Sequence, residues 1–138
     1  MFLHGIFANG SSMIMNSEGV KLFEVWNKNS KSICSAFDSV FDIMAVSYPD
    51  SITKFYRDRG SQEFAVMWTY PFNITKLLIV NEVGTIFMGT SLGKIRAHQW
   101  PFTDSMKFSK YFTEIQLHAA PVTELKVTHD YGLLISGA

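Results

Sequence analysis

Two stretches of the chain, ITKLLIVNEVGTIFMGT (Ile74–Thr90) and VTELKVTHDYGLLISGA (Val122–Ala138), align with each other at an offset of 48 residues. Each copy reads as a strand, a turn of four residues that closes on Gly, and a second strand that ends on Gly. The repeat therefore predicts two copies of one β-hairpin unit. Its identical pairs are Thr75 with Thr123, Leu77 with Leu125, Gly84 with Gly132, and Gly89 with Gly137.

The rest of the chain has the same character. Short segments rich in β-branched and aromatic residues alternate with turn clusters of Gly, Asn, Asp, Ser and Pro, which is typical of an all-β sandwich, barrel or propeller. A repeat slightly longer than the roughly 40 to 45 residues of a four-stranded propeller blade favours the propeller. The predicted strands are Met1–Ala8, Met13–Asn16, Val20–Trp26, Lys31–Phe37, Phe41–Ser47, Ser51–Tyr56, Glu63–Thr69, Ile74–Val80, Thr85–Gly89, Lys94–Trp100, Tyr111–Leu117, Val122–Val127 and Leu133–Ser136.

Composition and charge narrow the classes of partner. The 138 residues are 47% hydrophobic, which is enough for one folded core. Twelve basic and twelve acidic residues cancel, so the positive field that non-specific nucleic-acid binding requires is missing, and we expect no nucleic-acid partner. No apolar run approaches the roughly 20 residues that span a bilayer, so we expect no membrane partner. The single Cys34 and the lack of a signal-type start indicate an intracellular protein.

The sequence shows no constellation of catalytic, metal-binding or cofactor-binding residues. The four histidines lie far apart and lack metal-ligand spacing, and Cys34 has no CxxC partner. Ser136 lies in an extended run rather than on a nucleophile elbow, and the glycines from Gly84 to Gly93 precede no predicted helix. We therefore expect no enzyme and no cofactor, and a hydrolase with a β-rich domain is the weakest of the functional hypotheses.

Two motifs resemble those of the WD-repeat β-propellers. LHAAPVTEL (Leu117–Leu125) resembles the Gly-His-x-x-Pro-Val entry into an inner strand, with His118 in the His position. GTSLGKIRAHQW (Gly89–Trp100) is similar to the run that ends in Trp-Asp, with Leu92 in place of Asp and His98 in place of Trp. The resemblance implies degenerate blades, and a structural blade network in which His118 bonds to Ser136, Thr123 or a nearby backbone group.

The predicted fold is thus all-β, a partial WD-repeat-type β-propeller of about three and a half degenerate blades. Residues 1–38 form a blade, in which Trp26-Asn27 resembles Trp-Asp; residues 39–73 form an irregular blade or an insertion; residues 74–117 form a blade and residues 118–138 a half blade. Between residues 39 and 73 the pattern yields only three strands. We expect another protein chain, or the remainder of the same polypeptide, to complete the propeller at the Leu133–Ala138 edge or the Met1–Ala8 edge.

A closer similarity connects the chain to the cilia- and flagella-associated members of the family. It rests on MGTSLGKIRAHQWPF (Met88–Phe102) and on YFTEIQLHAAPVTELKVTHDYGLLISGA (Tyr111–Ala138). Such proteins are long scaffolds on axonemal microtubules, so the similarity implies a structural role at the ciliary axoneme, with axonemal dynein or microtubule-associated proteins as partners. The coiled coil that follows their propellers has no counterpart here. The alternative is a propeller segment of a non-ciliary scaffold, such as a coat or a ribosome-assembly factor.

Two surface stretches are candidates for contact with a partner. TKFYRDRGS (Thr53–Ser61) mixes basic and aromatic side chains suited to an acidic protein surface. The alternative is a solvated hairpin with one aromatic residue beneath it. The loop Phe102–Lys110 is the second candidate, because loops on a rigid scaffold often bind partners. The contact residues proposed in the first stretch are Lys54, Phe55, Tyr56, Arg57 and Arg59.

Overall fold

The structure, a computed structural model, describes residues 2–6, 11–25, 31–49, 51–57, 62–67, 73–101 and 112–138. In these residues the regular elements are thirteen β-strands and one 3₁₀ turn at Asn81–Val83. The strands are β1 (Phe2–Ile6), β2 (Ser12–Asn16), β3 (Lys21–Val25), β4 (Cys34–Asp38), β5 (Ile43–Tyr48), β6 (Ile52–Arg57), β7 (Gln62–Met67), β8 (Ile74–Val80), β9 (Thr85–Thr90), β10 (Lys94–Gln99), β11 (Phe112–Gln116), β12 (Glu124–Val127) and β13 (Leu134–Gly137).

The strands form four antiparallel sheets, in each of which strands that are consecutive in the sequence pair with each other. Sheet 1 contains β1 to β3, sheet 2 contains β4 to β7, sheet 3 contains β8 to β11, and sheet 4 contains β12 and β13. The first strands of successive sheets contact one another, β1 with β4, β4 with β8, and β8 with β12. Sheets stacked face to face with their first strands together are the blades of a propeller. The prediction of an all-β, partial β-propeller is confirmed.

One predicted grouping of strands is wrong. The segment Lys31–Phe37 was expected to close the first blade, but the strand Cys34–Asp38 pairs along its whole length with β5 and is the first strand of sheet 2. The region predicted as irregular, residues 39–73, supplies the other three strands of this four-stranded sheet. Alternation of apolar and polar residues predicts that a segment is a strand, but it does not show which neighbouring strand its backbone groups bond to. Here the four-residue turn before Ile43 joins β4 to β5 as a hairpin.

Sheet 2 is buried on both faces, which explains the unbroken apolar run of β5. Every residue from Ile43 to Tyr48 is buried. Met44, Val46 and Tyr48 pack against sheet 1, while Ile43 and Ala45 pack against sheet 3. Because successive side chains of a strand point to opposite faces, one strand supplies both inter-sheet cores. The residues of sheet 1 in the first core are Ile14 and Val25, and those of sheet 3 in the second core are Ile74, Leu77, Ile86, Met88 and Trp100.

The repeat seen in the sequence recurs in the pairing register. Leu77 lies opposite Met88 in sheet 3, and Leu125 lies opposite Ser136 in sheet 4, again 48 residues further on. The pairs on either side follow the same offset. The turns differ: Gly84 adopts the left-handed conformation with φ +62°, whereas in the second copy Tyr131 adopts it with φ +60°. The two hairpins are one unit with a turn shifted by one residue.

Candidate protein-interaction site

The entry into sheet 4 is closed by a side-chain hydrogen bond. The Nε2 atom of His118 lies 2.9 Å from the Oγ atom of Ser136, and the pair is half-buried rather than enclosed in the core. The structure thus brings two of the predicted network residues together. The third predicted network residue, Thr123, contributes through its backbone: its N–H donates a hydrogen bond to the carbonyl of Gly137 at 2.9 Å. The side chain of Thr123 is exposed. The bond ties the segment before β12 to β13.

Sheet 4 is attached to sheet 3 through the entry segment of β12. The hydroxyl of Thr75 donates a 2.6 Å hydrogen bond to the carbonyl of Val122. Val122 is buried against Gly89, where a Cβ atom would come within 2.5 Å of the Val122 Cγ1 atom. Leu125 joins this contact, and Leu78 and Phe87 pack against it from sheet 3. Gly89 is therefore a glycine of close approach between two blades.

The face of sheet 4 that points away from sheet 3 is exposed to solvent. We call it the outward face, and it contains Thr123, Lys126, Ile135 and Gly137. By the 48-residue register these residues are equivalent to Thr75, Leu78, Phe87 and Gly89, the side of sheet 3 that holds sheet 4. Ile135 is 54% exposed, and the neighbouring Leu133 is 67% exposed. On this face, sheet 4 thus repeats the residue positions by which sheet 3 packs against sheet 4.

A buried polar network that the sequence analysis missed joins sheets 2 and 3. The carboxylate of Asp38, at the end of β4, accepts a 2.6 Å hydrogen bond from the Trp100 indole N–H and a 2.7 Å bond from the Asn81 amide. Its other oxygen accepts from the backbone N–H of Val40 at 2.8 Å. The centroid of the Trp100 ring lies 5.9 Å from the centroid of the Phe55 ring. Because 62 residues separate Asp38 from Trp100, no short motif could reveal this contact.

The basic and aromatic stretch of β6 is not a continuous contact surface. Phe55 is fully buried against sheet 3, and Tyr56 is buried on the other side, 3.2 Å from the hydroxyl of Tyr48. Assigning these two aromatic residues to a partner surface was wrong, because β6 lies in a sheet covered on both faces. Arg57 is exposed, and Lys54 is half-buried over the ring of Tyr48. Arg59, the pair Trp26-Asn27 and the loop Phe102–Lys110 lie outside the described residues.

The described residues include one buried thiol and no metal-binding group. Among the described residues no group of three His, Cys, Asp or Glu side chains could hold a metal ion. Burial raises the pKa of the Cys34 thiol to about 12, so the thiol stays protonated at neutral pH and is a poor nucleophile. No helix in the described segments is long and apolar enough to cross a membrane.

Solved structures share this arrangement of sheets. The chain superimposes on the crystal structure of the computationally designed Ika8 protein with a TM-score of 0.70, at 14% identity, over 99% of this chain and 40% of that one. It superimposes on a chain of the crystal structure of the Mitotic Checkpoint Complex with a TM-score of 0.72, at 14% identity, over 99% of this chain and 41% of that one.

The sequence itself matches no family model and no curated protein. The chain spans about two fifths of the length of the two propeller-type chains it superimposes on. Likeness at this level of identity concerns the fold alone, and the fold is that of part of a β-propeller.

Proposed function

We propose that this protein is a non-enzymatic scaffold that binds other proteins through its propeller blades. The observation that carries the proposal is the propeller-type stacking of four antiparallel sheets whose first strands contact one another. Burial of apolar surface stabilises an interface by roughly 25 cal/mol per Å². The apolar cores between the sheets therefore stabilise a rigid framework, which can present loops and surface residues to protein partners.

The scaffold acts, on this proposal, at the axoneme of cilia or flagella, where it positions inner dynein arms or neighbouring microtubule-associated proteins. Support for the location comes from the similarity of Met88–Phe102 and Tyr111–Ala138 to the ciliary members of the WD-repeat proteins. One of the structures with the same fold belongs to a multi-protein complex, in line with protein partners. The propeller fold suits such a role, because it is a rigid framework that presents loops and faces to partners.

The experiment is proximity labelling with the tagged chain in ciliated cells, read out together with its position under the microscope. The proposal predicts signal along the axoneme and enrichment of dynein-arm or microtubule-associated proteins over a tag-only control. Labelling of coat components or of ribosome-assembly factors in place of axonemal proteins would contradict the ciliary role.

A further inference from the structure

Resting on the proposed scaffold function, we propose that two neighbouring turns of sheets 2 and 3 dock a segment of a second protein that carries basic side chains beside apolar ones. The first turn, residues 39–42, joins β4 to β5, and the second, residues 81–84, joins β8 to β9. We call the docking residues the turn patch. It consists of Val40, Phe41, Asp42, Glu82 and Val83.

One buried carboxylate fixes both turns. The backbone N–H groups of Val40 and Phe41 donate to one oxygen of the Asp38 carboxylate, at 2.8 Å and 3.4 Å. The other oxygen accepts the 2.7 Å hydrogen bond from the side-chain amide of Asn81, the first residue of the second turn. The two turns therefore lie side by side, and their arrangement exists before a partner binds. A surface that is already ordered loses little conformational entropy on binding.

The apolar side chains of the turn patch are unusual for their position. Tight turns favour Gly, Asn, Asp, Ser and Pro, because the backbone preferences or side-chain hydrogen bonds of these residues suit a chain reversal. Here Val40 is 69% exposed and Phe41 is 47% exposed at the middle of the first turn. Val83, on the second turn, is 46% exposed. Apolar residues grouped on adjacent turns indicate an interaction site, because a partner that covers them removes apolar surface from water.

The turn patch lies beyond the ends of the strands, where stacking of one sheet on the next does not cover it. Sheet 2 already contacts sheets 1 and 3, and sheet 3 already contacts sheets 2 and 4. Thr75, near the start of β8, bonds to Val122, just before β12, so these two strands start at the same end. The carbonyl of Gly137 bonds to the N–H of Thr123, which places Ala138 at that end as well. Polypeptide that continued from Ala138 would start at the end opposite the turn patch, and this favours a second protein as the occupant.

The charge of this end of the sheets selects basic side chains in the partner. Asp42 and Glu82 each adjoin an apolar residue of the turn patch, and Asp38 adds a buried carboxylate beneath the first turn. Among the described residues at this end of sheets 2 and 3, the basic side chain is that of Arg57, which lies opposite Ile43 in the register. Carboxylates therefore exceed basic groups here, and the complementary charge in a partner is positive.

The 48-residue repeat extends the same pairing to the next sheet. Asp130 and Tyr131, in the turn of sheet 4, are equivalent to Glu82 and Val83, and both are exposed. A segment that crosses the turns thus meets an acidic and an apolar side chain on each of them. Packed sheets lie about 10 Å apart, and an extended segment advances about 3.3 Å per residue. We therefore expect a basic side chain at about every third position of the partner segment.

The test selects binders from a random library of peptides displayed on phage, with the 138-residue chain as the target. Peptides that a variant carrying both Val40→Ser and Val83→Ser also retains are discarded. The remaining peptides should combine Lys or Arg, at about every third position, with aliphatic or aromatic residues. Titration of the ¹⁵N-labelled chain with the most enriched of these peptides should shift the amide signals of Val40, Glu82 and Val83.

Single substitutions then separate the apolar contribution from the charge. Val40→Ser and Val83→Ser should each weaken binding of that peptide about three- to tenfold, because apolar contact is lost. Glu82→Gln should weaken it about two- to fivefold, the effect of one exposed ion pair. Leu92→Ser and Glu18→Gln are the matched controls, since both residues are exposed in turns at the opposite end of the sheets, and binding should stay unchanged. Glu82→Gln keeps the test valid if a serine variant melts at a lower temperature than the unaltered chain.

Three results would overturn the proposal directly. They are a selection that leaves no peptide after the discard step, remaining peptides without an excess of basic residues, and binding that the substitutions in the turn patch do not weaken. A dimer of the chain that Val40→Ser dissociates would overturn it too, because the occupant would then be a second copy. So would loss of peptide binding in the complete protein as cells make it, since a segment of the same polypeptide would then cover the patch. Cellular location is read separately, so failure here leaves the scaffold proposal to its own experiment.

Discussion

The indole N–H of Trp100 donates a 2.6 Å hydrogen bond to the carboxylate of Asp38 across the boundary between sheets 3 and 2. Asp38 is 4% exposed and Trp100 is 2% exposed, so water does not compete for the hydrogen bond between them. A buried carboxylate is tolerated in a protein core only when its oxygens are well bonded, and here they bond to an indole, an amide and the backbone. Among the described residues, the two blades that this contact joins have no backbone–backbone hydrogen bond between them.

We predict that Asp38→Ala lowers the free energy of unfolding by about 2 to 4 kcal/mol, because the buried indole N–H of Trp100 and the amide of Asn81 both lose their acceptor. Urea denaturation followed by tryptophan fluorescence measures the change. The exposed Glu82, next to Asn81, supplies the control, and Glu82→Ala should alter stability by less than about 0.5 kcal/mol. Equal stability of both variants would contradict the network's role.

We predict that Gly89→Ala destabilises the protein by about 1 to 3 kcal/mol, since its methyl group would overlap with Val122 of the next sheet. Combining it with Val122→Ala should recover part of the loss, which a double-mutant cycle in urea would measure. Gly137→Ala, at the equivalent place on sheet 4, should be nearly neutral. Additive effects of Gly89→Ala and Val122→Ala would argue against direct packing of the two sheets.

We predict that His118→Ala costs about 1 kcal/mol, because it removes the half-buried hydrogen bond to Ser136. Hydrogen exchange should become faster in β13, which this bond connects to the entry segment, and should stay unchanged in sheet 2. His129→Ala at an exposed turn is the matched control and should leave both quantities unaltered. Unchanged exchange in β13 would show that the bond does not hold the hairpin in place.

We predict that Cys34 makes the protein less stable at alkaline pH. Its pKa in the folded state is about 12, against 9.0 for an ordinary thiol, because burial disfavours the thiolate. Between these values the unfolded chain ionises and the folded chain does not, so stability falls with rising pH by up to about 1.4 kcal/mol per unit. Urea denaturation between pH 8 and 10.5 should show a shallower fall for Cys34→Ala. Parallel curves would mean that the thiol ionises alike in both states.

The sequence was enough to predict the hairpin repeat and the propeller class, because strand alternation, glycine turns and a 48-residue period are local or regular signals. It was not enough to assign β4 to sheet 2, since a strand pattern does not encode its partner. The aromatic pair Phe55 and Tyr56 was misread for a related reason: in a strand covered on both faces, adjacent residues are buried in different cores. The contact of Asp38 with Trp100 depends on sheet stacking and has no local signal.

Inter-sheet nuclear Overhauser effects in the labelled chain would show whether the sheets stack as consecutive blades. We expect cross-peaks between the Val122 methyl groups and the Gly89 α-protons, and between the rings of Phe55 and Trp100, together with amide pairing of β4 to β5. Absence of the inter-sheet cross-peaks in a folded sample, or pairing of β4 with β3, would contradict it.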